Sequence, residues 1–593
     1  KTLADLLSES GYQTAAFVAS FVLDARFGLD RGFQFYDDEI RDTSHHDDIL
    51  HRERNGSEVV NSALVWLERR PPGPFLCWVH LYDPHAPYQL HSEQFSDRFE
   101  GRPYDAEVAY LDRQIGKLLR YLKETDQVSN TVVVIVGDHG EGLGDHVEEN
   151  HGYTLYNATQ HVPLIIKNPR KGVAGYRHAD PVSLVDVLPT ICDVLGQSTP
   201  KDISGQSLAA ALEGGRVDPI QCYSATDDPF LQEGWCPQRS LTTQRWKYIR
   251  TTQPELYDLE ADPGETRNLA ASNGDKLLEM EAALAGIERG MHLRPSENVQ
   301  LSEQERRTLQ SLGYLGGGNT ESDLSDGLDG PLIDVKDMIQ ADVDARRAFE
   351  MMHTGKIDEA IVSLKATVAR TAGHPSSRVF LGEALEFKGD LPAAIASYQQ
   401  ALEIKPDLLD AQVRLGAAYG KTGDLLKAIE CFDKALLIHP DSVSARFNLG
   451  RALLYQGKFS EAAENIEFAF KMDPDLAGVR LVLSDALVKN GSPEKAIPLL
   501  TEELARDPNS LAAKLKLAEV LTADQPQVAL QLLEQSLELN PDNADIVFRI
   551  GLLYLDQRRS VEAMDYFRKT QQLMPTHPGL PEALKQAQNL SNQ

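Results

Sequence analysis

Apolar residues recur along this chain in two rhythms. In the first half they form short runs separated by a helical stripe. Residues 75–81 make an apolar run entered from Pro-Gly-Pro, and residues 131–136 read Thr-Val-Val-Val-Ile-Val. The second run is β-branched and unbroken, which predicts a strand covered on both faces. Between the two, residues 104–123 place Val108, Leu111, Ile115, Leu118, Leu119 and Leu122 at helical spacing. Residues 162–166 predict another strand, followed by a helix over 183–195. Strand–helix–strand alternation over residues 1–315 predicts an α/β domain with a mainly parallel sheet.

The second rhythm is a repeat. Prolines fall at Pro406, Pro440, Pro474, Pro508, Pro541 and Pro575, in steps of 34, 34, 34, 33 and 34. Ala360, Ala394, Ala428, Ala462, Ala496, Ala529 and Ala563 keep the same period, as do Gly355, Gly389, Gly423, Gly457 and Gly491. Four residues after these alanines comes a large apolar residue such as Tyr398, Phe432 or Phe567. A small Ala lets paired helices approach, a Gly ends a helix in a left-handed cap, and a Pro cannot continue one. The spacing resembles the tetratricopeptide repeat, about seven units over residues 341–593, which predicts an all-α superhelix. The Gly- and acid-rich stretch that opens residues 316–340 predicts a linker.

Composition narrows the function. The net charge of -30 argues against nucleic acid and against docking on an anionic membrane, both of which call for excess Lys and Arg. At 42% hydrophobic and 25% charged, the chain can bury a large core. The 5 cysteines are far apart and none forms a CxxC pair, so no disulfide framework or cysteine zinc site is expected. No apolar run approaches the roughly 18 residues of a membrane span. Lys1 opens on an amphipathic helix already under way, without Met, so the expectation is that the chain starts inside a fold and that any export signal lies upstream.

Ligands of open parallel sheets bind beyond the carboxyl ends of the strands. There the chain has Gly137-Asp138-His139-Gly140-Glu141 after one run and Tyr82-Asp83-Pro84-His85-Ala86-Pro87-Tyr88 after the other. A crossover helix joins the two strands, so both clusters are expected on one edge. Gly137 and Gly140 flank the Asp138-His139 pair, where a ligand could approach closely, and Asp138 offers a carboxylate to a hard divalent cation; the plainer reading is a helix cap. His80, within its strand, reads as a satisfied core histidine.

Ordered stretches along about 270 residues carry a stronger signal. They include Thr2 to Leu7 with Gly11-Tyr12-Gln-Thr-Ala-Ala16, Gly28-Leu-Asp-Arg-Gly-Phe33, and His80-Leu-Tyr-Asp-Pro-His-Ala-Pro-Tyr88. Val136-Gly-Asp-His-Gly-Glu-Gly-Leu-Gly-Asp-His146, His151-Gly152, Val162-Pro-Leu-Ile165 and Pro181 to Thr190 follow. Trp246-Lys-Tyr-Ile-Arg250 and Glu255-Leu-Tyr-Asp258 close the series. In these stretches residues 1–315 resemble the sulfatase family of the alkaline-phosphatase superfamily. The resemblance implies that Asp138 and His139 are the second pair of Ca2+ ligands and that His85 contacts the sulfate ester and protonates the leaving alcohol. It puts His151 in the place of a sulfate-binding Lys, and His146 near enough either to assist or to be structural.

The family's nucleophile is a formylglycine made from the cysteine of a Cys-x-Pro-x-Arg signature, attacking sulfur while cations and histidine hold the charge. No such signature occurs here. Cys236-Pro237-Gln238-Arg239 is one residue short and lies far downstream. The resemblance places the nucleophile and the first Asp-Asp pair before Lys1, so this chain is expected to hold half a site. Asp37-Asp38 and Asp47-Asp48 are read as solvated surface charge.

Three functions are therefore open. The first is a sulfuric ester hydrolase acting on a sulfated small molecule or glycan, with a repeat groove for a protein or peptide partner. The second is a phosphonate or phosphodiester hydrolase of the same superfamily, for which Asp42 and His46 show a DxxxH spacing. The third is a non-catalytic scaffold built on the repeats. Neither nucleic acid nor a membrane span enters any of them. Family likeness carries an expectation of an exported, periplasmic bacterial protein, and Asn55-Gly-Ser57 and Asn157-Ala-Thr159 fit glycosylation triplets.

Overall fold

Strand β1, Gln13–Phe17, is the centre of a three-stranded parallel sheet in the computed structural model, which describes residues 1–39, 54–86, 88, 98–169, 172–291 and 332–591. β2, Phe35–Asp37, lies on one side and β3, Phe75–Val79, on the other; Phe17 stands opposite both Asp37 and Val79. Parallel neighbours need a crossover. The helix Gly56–Arg69 precedes β3 and turns Val59 and Ala63 onto Ala15, Phe17 and Ala19 to make the core of this layer. The helix Pro103–Glu124, where the apolar stripe predicts one, packs beside it.

The next two predicted strands form, but not as expected. β4, Val133–Val136, and β5, Leu164–Lys167, pair antiparallel, with Val136 opposite Leu164. The longest helix between them is Asn157–Gln160, so the chain returns by turns and needs no crossover. Nor are both faces covered: Val136 is 44% exposed and Ile165 59%. Among the described residues, the mainly parallel expectation therefore holds for β1–β3. β6, Cys222–Thr226, β7, Gln238–Thr242, β8, Trp246–Arg250, and β9, Glu255–Asp258, form an antiparallel sheet in sequence order. The helix Gly274–Gly290 closes that sheet's core with Met280 and Leu284 on Leu241, Tyr248 and Leu256. The helix predicted over 183–195 is Val187–Leu195, preceded by one tight turn with a capping box at Ser183.

The chain divides into two compact units, Lys1–Ser377 and Arg378–Gln593. The periodic pattern starts the repeats at 341, yet the helices Val335–His353 and Ile357–Arg370 fall in the first unit. The linker stretch 316–331 lies outside the described residues.

The second unit is helical throughout its described residues. Gly423 and Gly457 end their helices at φ +84, as the spacing predicts. The period alanines Ala394, Ala428, Ala462, Ala496, Ala529 and Ala563 are each 0% exposed. The large residue four places on lies against a glycine of the preceding helix: Tyr398 on Gly382, Phe432 on Gly416, Ile466 on Gly450 and Phe567 on Gly551. Those glycines keep the same spacing and hold the helices close. Among the described residues no helix is long and apolar enough to cross a membrane, and all five cysteines are free.

A methyl group at Gly450 would sit 2.4 Å from Ile466 Cγ1 and 3.1 Å from the Ala462 carbonyl. Gly450→Ala should therefore cost about 1–3 kcal/mol through overpacking. Urea unfolding followed by the helical circular dichroism signal measures this, and Gly450→Ala should cost less in an Ile466→Ala background, where the clashing Cγ1 is gone. No loss in the single variant would mean that the helix pair is more loosely packed than described.

Candidate active site

The segment after β4 folds back on itself. Gly142 N–H donates to the Asn150 carbonyl at 2.7 Å, Leu143 to Glu149 at 3.0 Å and Gly144 to Glu148 at 2.8 Å. The turn between these rungs runs through positive φ at Gly144, His146 and Val147. A ladder of that register sets Glu141 opposite His151. Gly140 and Gly142 are required by backbone rather than by a ligand: a Cβ would lie 2.2 Å from the Ala158 carbonyl at the first and 2.2 Å from the Glu148 carbonyl at the second. The sequence reading of Gly140 as room for a ligand is corrected accordingly.

Four side chains meet at this point. The His151 ring lies 3.9 Å from that of His139 and 5.3 Å from that of His85, centroid to centroid. The two strand-end clusters thus converge on one site. Behind them, Glu141 is buried and accepts from His151 Nδ1 with one oxygen and from the Tyr88 hydroxyl with the other. Burial alone would push the Glu141 carboxyl up, but the His151 and Tyr88 hydrogen bonds and the nearby imidazoles hold it below the usual range. Burial alone would lower His151, but the bond and charge of Glu141, with Glu148 and Asp138, raise it. His85 is pulled down by burial and by His151, against the pull of the Ala86 carbonyl, to which its Nδ1 donates at 2.8 Å. It stacks on Tyr82 at 4.3 Å. One imidazole is therefore biased towards the cation and its neighbour towards the neutral form.

Asp138 projects to solvent, its side chain 81% exposed, with one oxygen 3.8 Å from His139 Nε2. His139 Nδ1 donates to the Gly140 carbonyl at 3.0 Å, which directs Nε2 outward. A carboxylate oxygen and an imidazole nitrogen at that spacing can share one divalent cation held at roughly 2.3–2.6 Å, as part of a larger ligand set. His139, Glu141 and His151 also offer atoms within 4.8 Å of one another, but both oxygens of Glu141 already accept hydrogen bonds.

His80 stands just past the end of β3 and is partly buried, with Ala19 N–H reaching its Nδ1 at 3.4 Å. His146 is structural. Its ring stacks on Tyr156 at 3.6 Å and its Nε2 bonds the Glu265 carbonyl at 2.9 Å. Asp37 is not solvated surface charge, which corrects that reading. It pairs with Arg54 at 2.8 Å, both side chains largely buried, and Asp38 accepts from Ala25 N–H at 2.8 Å. Asp42, His46, Asp47 and Asp48 lie outside the described residues. Cys236 is buried and Arg239 pairs with Asp227, so that motif is structural. Asn55 and Asn157 use their side-chain oxygens internally, on Ser57 N–H and on the buried Lys247 ammonium. Sequence reasoning missed Glu141 and Tyr88. Both stand in the motifs already singled out, and the Gly-Leu-Gly-Asp turn was the available sign that Glu141 would meet His151.

Comparison with known proteins finds the family described as Sulfatase over residues 1–197 and N-sulphoglucosamine sulphohydrolase, C-terminal, over 150–285. Tetratricopeptide repeat families match 382–423, 407–475, 448–510, 481–525 and 519–578. Arylsulfatase K of Mus musculus is 27% identical over 284 residues, covering 44% of this chain and 51% of its own length. A Delta 4,5-hexuronate-2-O-sulfatase of Bacteroides thetaiotaomicron is 31% identical over 166 residues, 27% of this chain and 34% of its own. BT4656, solved in complex with its substrate D-glucosamine-2-N,6-O-disulfate, is 21% identical with a TM-score of 0.41, over 49% of this chain and 82% of that one. The chain spans about half the length, or less, of the curated relatives it matches.

Burial lowers His80 from 6.5 to about 4. Because the folded value is the lower one, its contribution to stability is fully present above pH 6.5 and is lost as pH falls towards 4. His80→Gln should flatten the dependence of thermal unfolding on pH across that window, removing on the order of 3 kcal/mol of acid sensitivity. An unaltered pH profile would place the acid-labile group elsewhere.

Proposed function

We propose that this chain, a sulfatase-family domain followed by tetratricopeptide repeats, is the part of a sulfuric ester hydrolase that grips the sulfuryl group and protonates the leaving alcohol. The substrate is a sulfated small molecule or glycan, and the repeats serve as the surface for a protein or peptide. One observation carries the reading: His85, His139 and His151 converge beyond the strand ends, with buried Glu141 behind them.

His151, kept towards the imidazolium by Glu141, offers a fixed positive charge to sulfuryl oxygens. Such a donor acts most strongly where water is excluded and its position is set beforehand. His85 uses Nδ1 on the Ala86 carbonyl, so Nε2 is the atom that can pass a proton to the leaving oxygen. An anionic ester beside it favours the protonated ring that this step requires. Asp138 and His139 would hold part of the coordination of a divalent cation, Ca2+ by family likeness, which when bound supplies further positive charge to the sulfuryl oxygens. The attacking group, formylglycine by family likeness, has no Cys-x-Pro-x-Arg precursor within the 593 residues.

In protein expressed from the complete gene, His85→Ala should slow cleavage of esters with poor leaving groups about 10²–10⁴-fold while sparing activated aryl sulfates. Equal losses on both would remove the acid role. Asp138→Ala should strip the divalent cation, measured as metal per protein by elemental analysis, together with turnover; full retention of metal would exclude Asp138 as a ligand. Faster cleavage of phosphonate monoesters than of sulfates would move the assignment to the phosphonate hydrolases. Absence of both activities and of metal would leave the scaffold reading.

A further inference from the structure

The repeat-like helix Val335–His353 of the first unit sits against the loop that carries His151. Trp235, 1% exposed, is surrounded by Val335, Met338 and Ile339 of the helix Val335–His353, with Tyr153 packed on the same cluster. The indole N–H donates to the Gly373 carbonyl at 3.1 Å, and Cys236 N–H donates to the Ile333 carbonyl at 2.9 Å. Lys336 pairs with Glu255 at 2.8 Å, and Asp334 accepts from Gln253 N–H at 3.0 Å. The seat is thus apolar at its centre and hydrogen-bonded at its edge.

Two adjacent residues of that helix then reach the loop carrying His151. Arg346 donates to the Tyr153 hydroxyl at 3.2 Å and lies over its ring at 5.8 Å, while Arg347 pairs with Glu149. Glu149 and Tyr153 stand two residues before and two after His151. From inside, the Glu148 carboxylate closes the same loop by accepting from Tyr153 N–H at 2.8 Å and Thr154 N–H at 3.2 Å. From the other side, the Thr226 hydroxyl donates to the Gly152 carbonyl at 2.5 Å.

We propose that the helix Val335–His353 is a positioning element of the hydrolase domain, in which Arg346 and Arg347 brace the His151 loop on either side of the histidine. The brace stands on contacts within the first unit; only its consequence for ester cleavage rests on the function proposed above. The Arg347–Glu149 pair is exposed and weak by itself. It gains effect because the Trp235 seat fixes the helix from which it projects. Side chains so arranged act through His151 and touch no substrate.

The test uses the full 593-residue chain and reads hydrogen exchange of amides 149–154 together with the downfield His151 Nδ1 proton resonance. Arg346→Ala with Arg347→Glu leaves the apolar seat intact. It should speed exchange in the loop about tenfold and broaden the imidazole signal, with strand Trp246–Arg250 unchanged. Arg347→Glu alone should weaken protection, Arg347→Lys should retain it, and Arg347→Glu with Glu149→Arg should restore it. Ile339→Asp, which undocks the seat, should give the largest loss in the loop. Unchanged loop exchange in the double variant overturns the proposal. So does failure of the reversed pair to restore protection, even if Ile339→Asp unfolds the domain. These readouts need no turnover, so a loop braced as described, with no ester cleavage by protein expressed from the complete gene, would sink the hydrolase reading and leave this one standing.

Discussion

A buried carboxylate stays ionised only where something close neutralises it, and Glu141 is placed so that His151 and Tyr88 do so. The rest of the site follows from that pairing. It fixes the His151 ring through Nδ1 and biases it towards the cation. With a cation there, the neighbouring His85 is biased towards the neutral form. It also ties three parts of the chain together, because Tyr88 follows β3, Glu141 follows β4 and His151 closes the returning ladder. An apolar residue at 141 would leave two donors unsatisfied and remove the charge difference between the imidazoles.

Much of this was legible beforehand. Runs ending in polar clusters located β3 and β4, and the rule that ligands gather at strand ends brought His85 and His139 to one place. Direction was harder to read. A β-branched run says that a strand forms but not which neighbour it takes. The connection from β4 to β5 lacks a long helix, which was the sign that the chain turns back rather than crossing over. Asp37 was misread because a doublet of acids looks like surface until its partner is known. Arg54, far along the sequence, makes the pair buried.

The repeats show the opposite balance. Their period carried the helix ends, the buried alanines and the ring contacts directly, since each repeat meets chiefly its neighbours and local spacing encodes most of its packing. Within a helix, glycines such as Gly382, Gly416 and Gly450 read as a weakness. Here the missing Cβ is what admits Tyr398, Phe432 and Ile466.

Period also hides where one unit ends, because it reports similarity and not allegiance. The helix Val335–His353 carries the repeat's marks, a left-handed Gly355 just beyond it and the fully buried Ala360 in its partner helix. Yet it buries residues on more than one side: Ala345 and Ala348 as well as Val335, Met338 and Ile339. A repeat helix that meets only its neighbours needs one apolar stripe, and a helix apolar on further faces has a further partner. The surplus of apolar positions at 335, 338 and 339 is therefore the sequence trace of the Trp235 seat. It explains why the repeat pattern and the compact unit disagree about where the first unit stops.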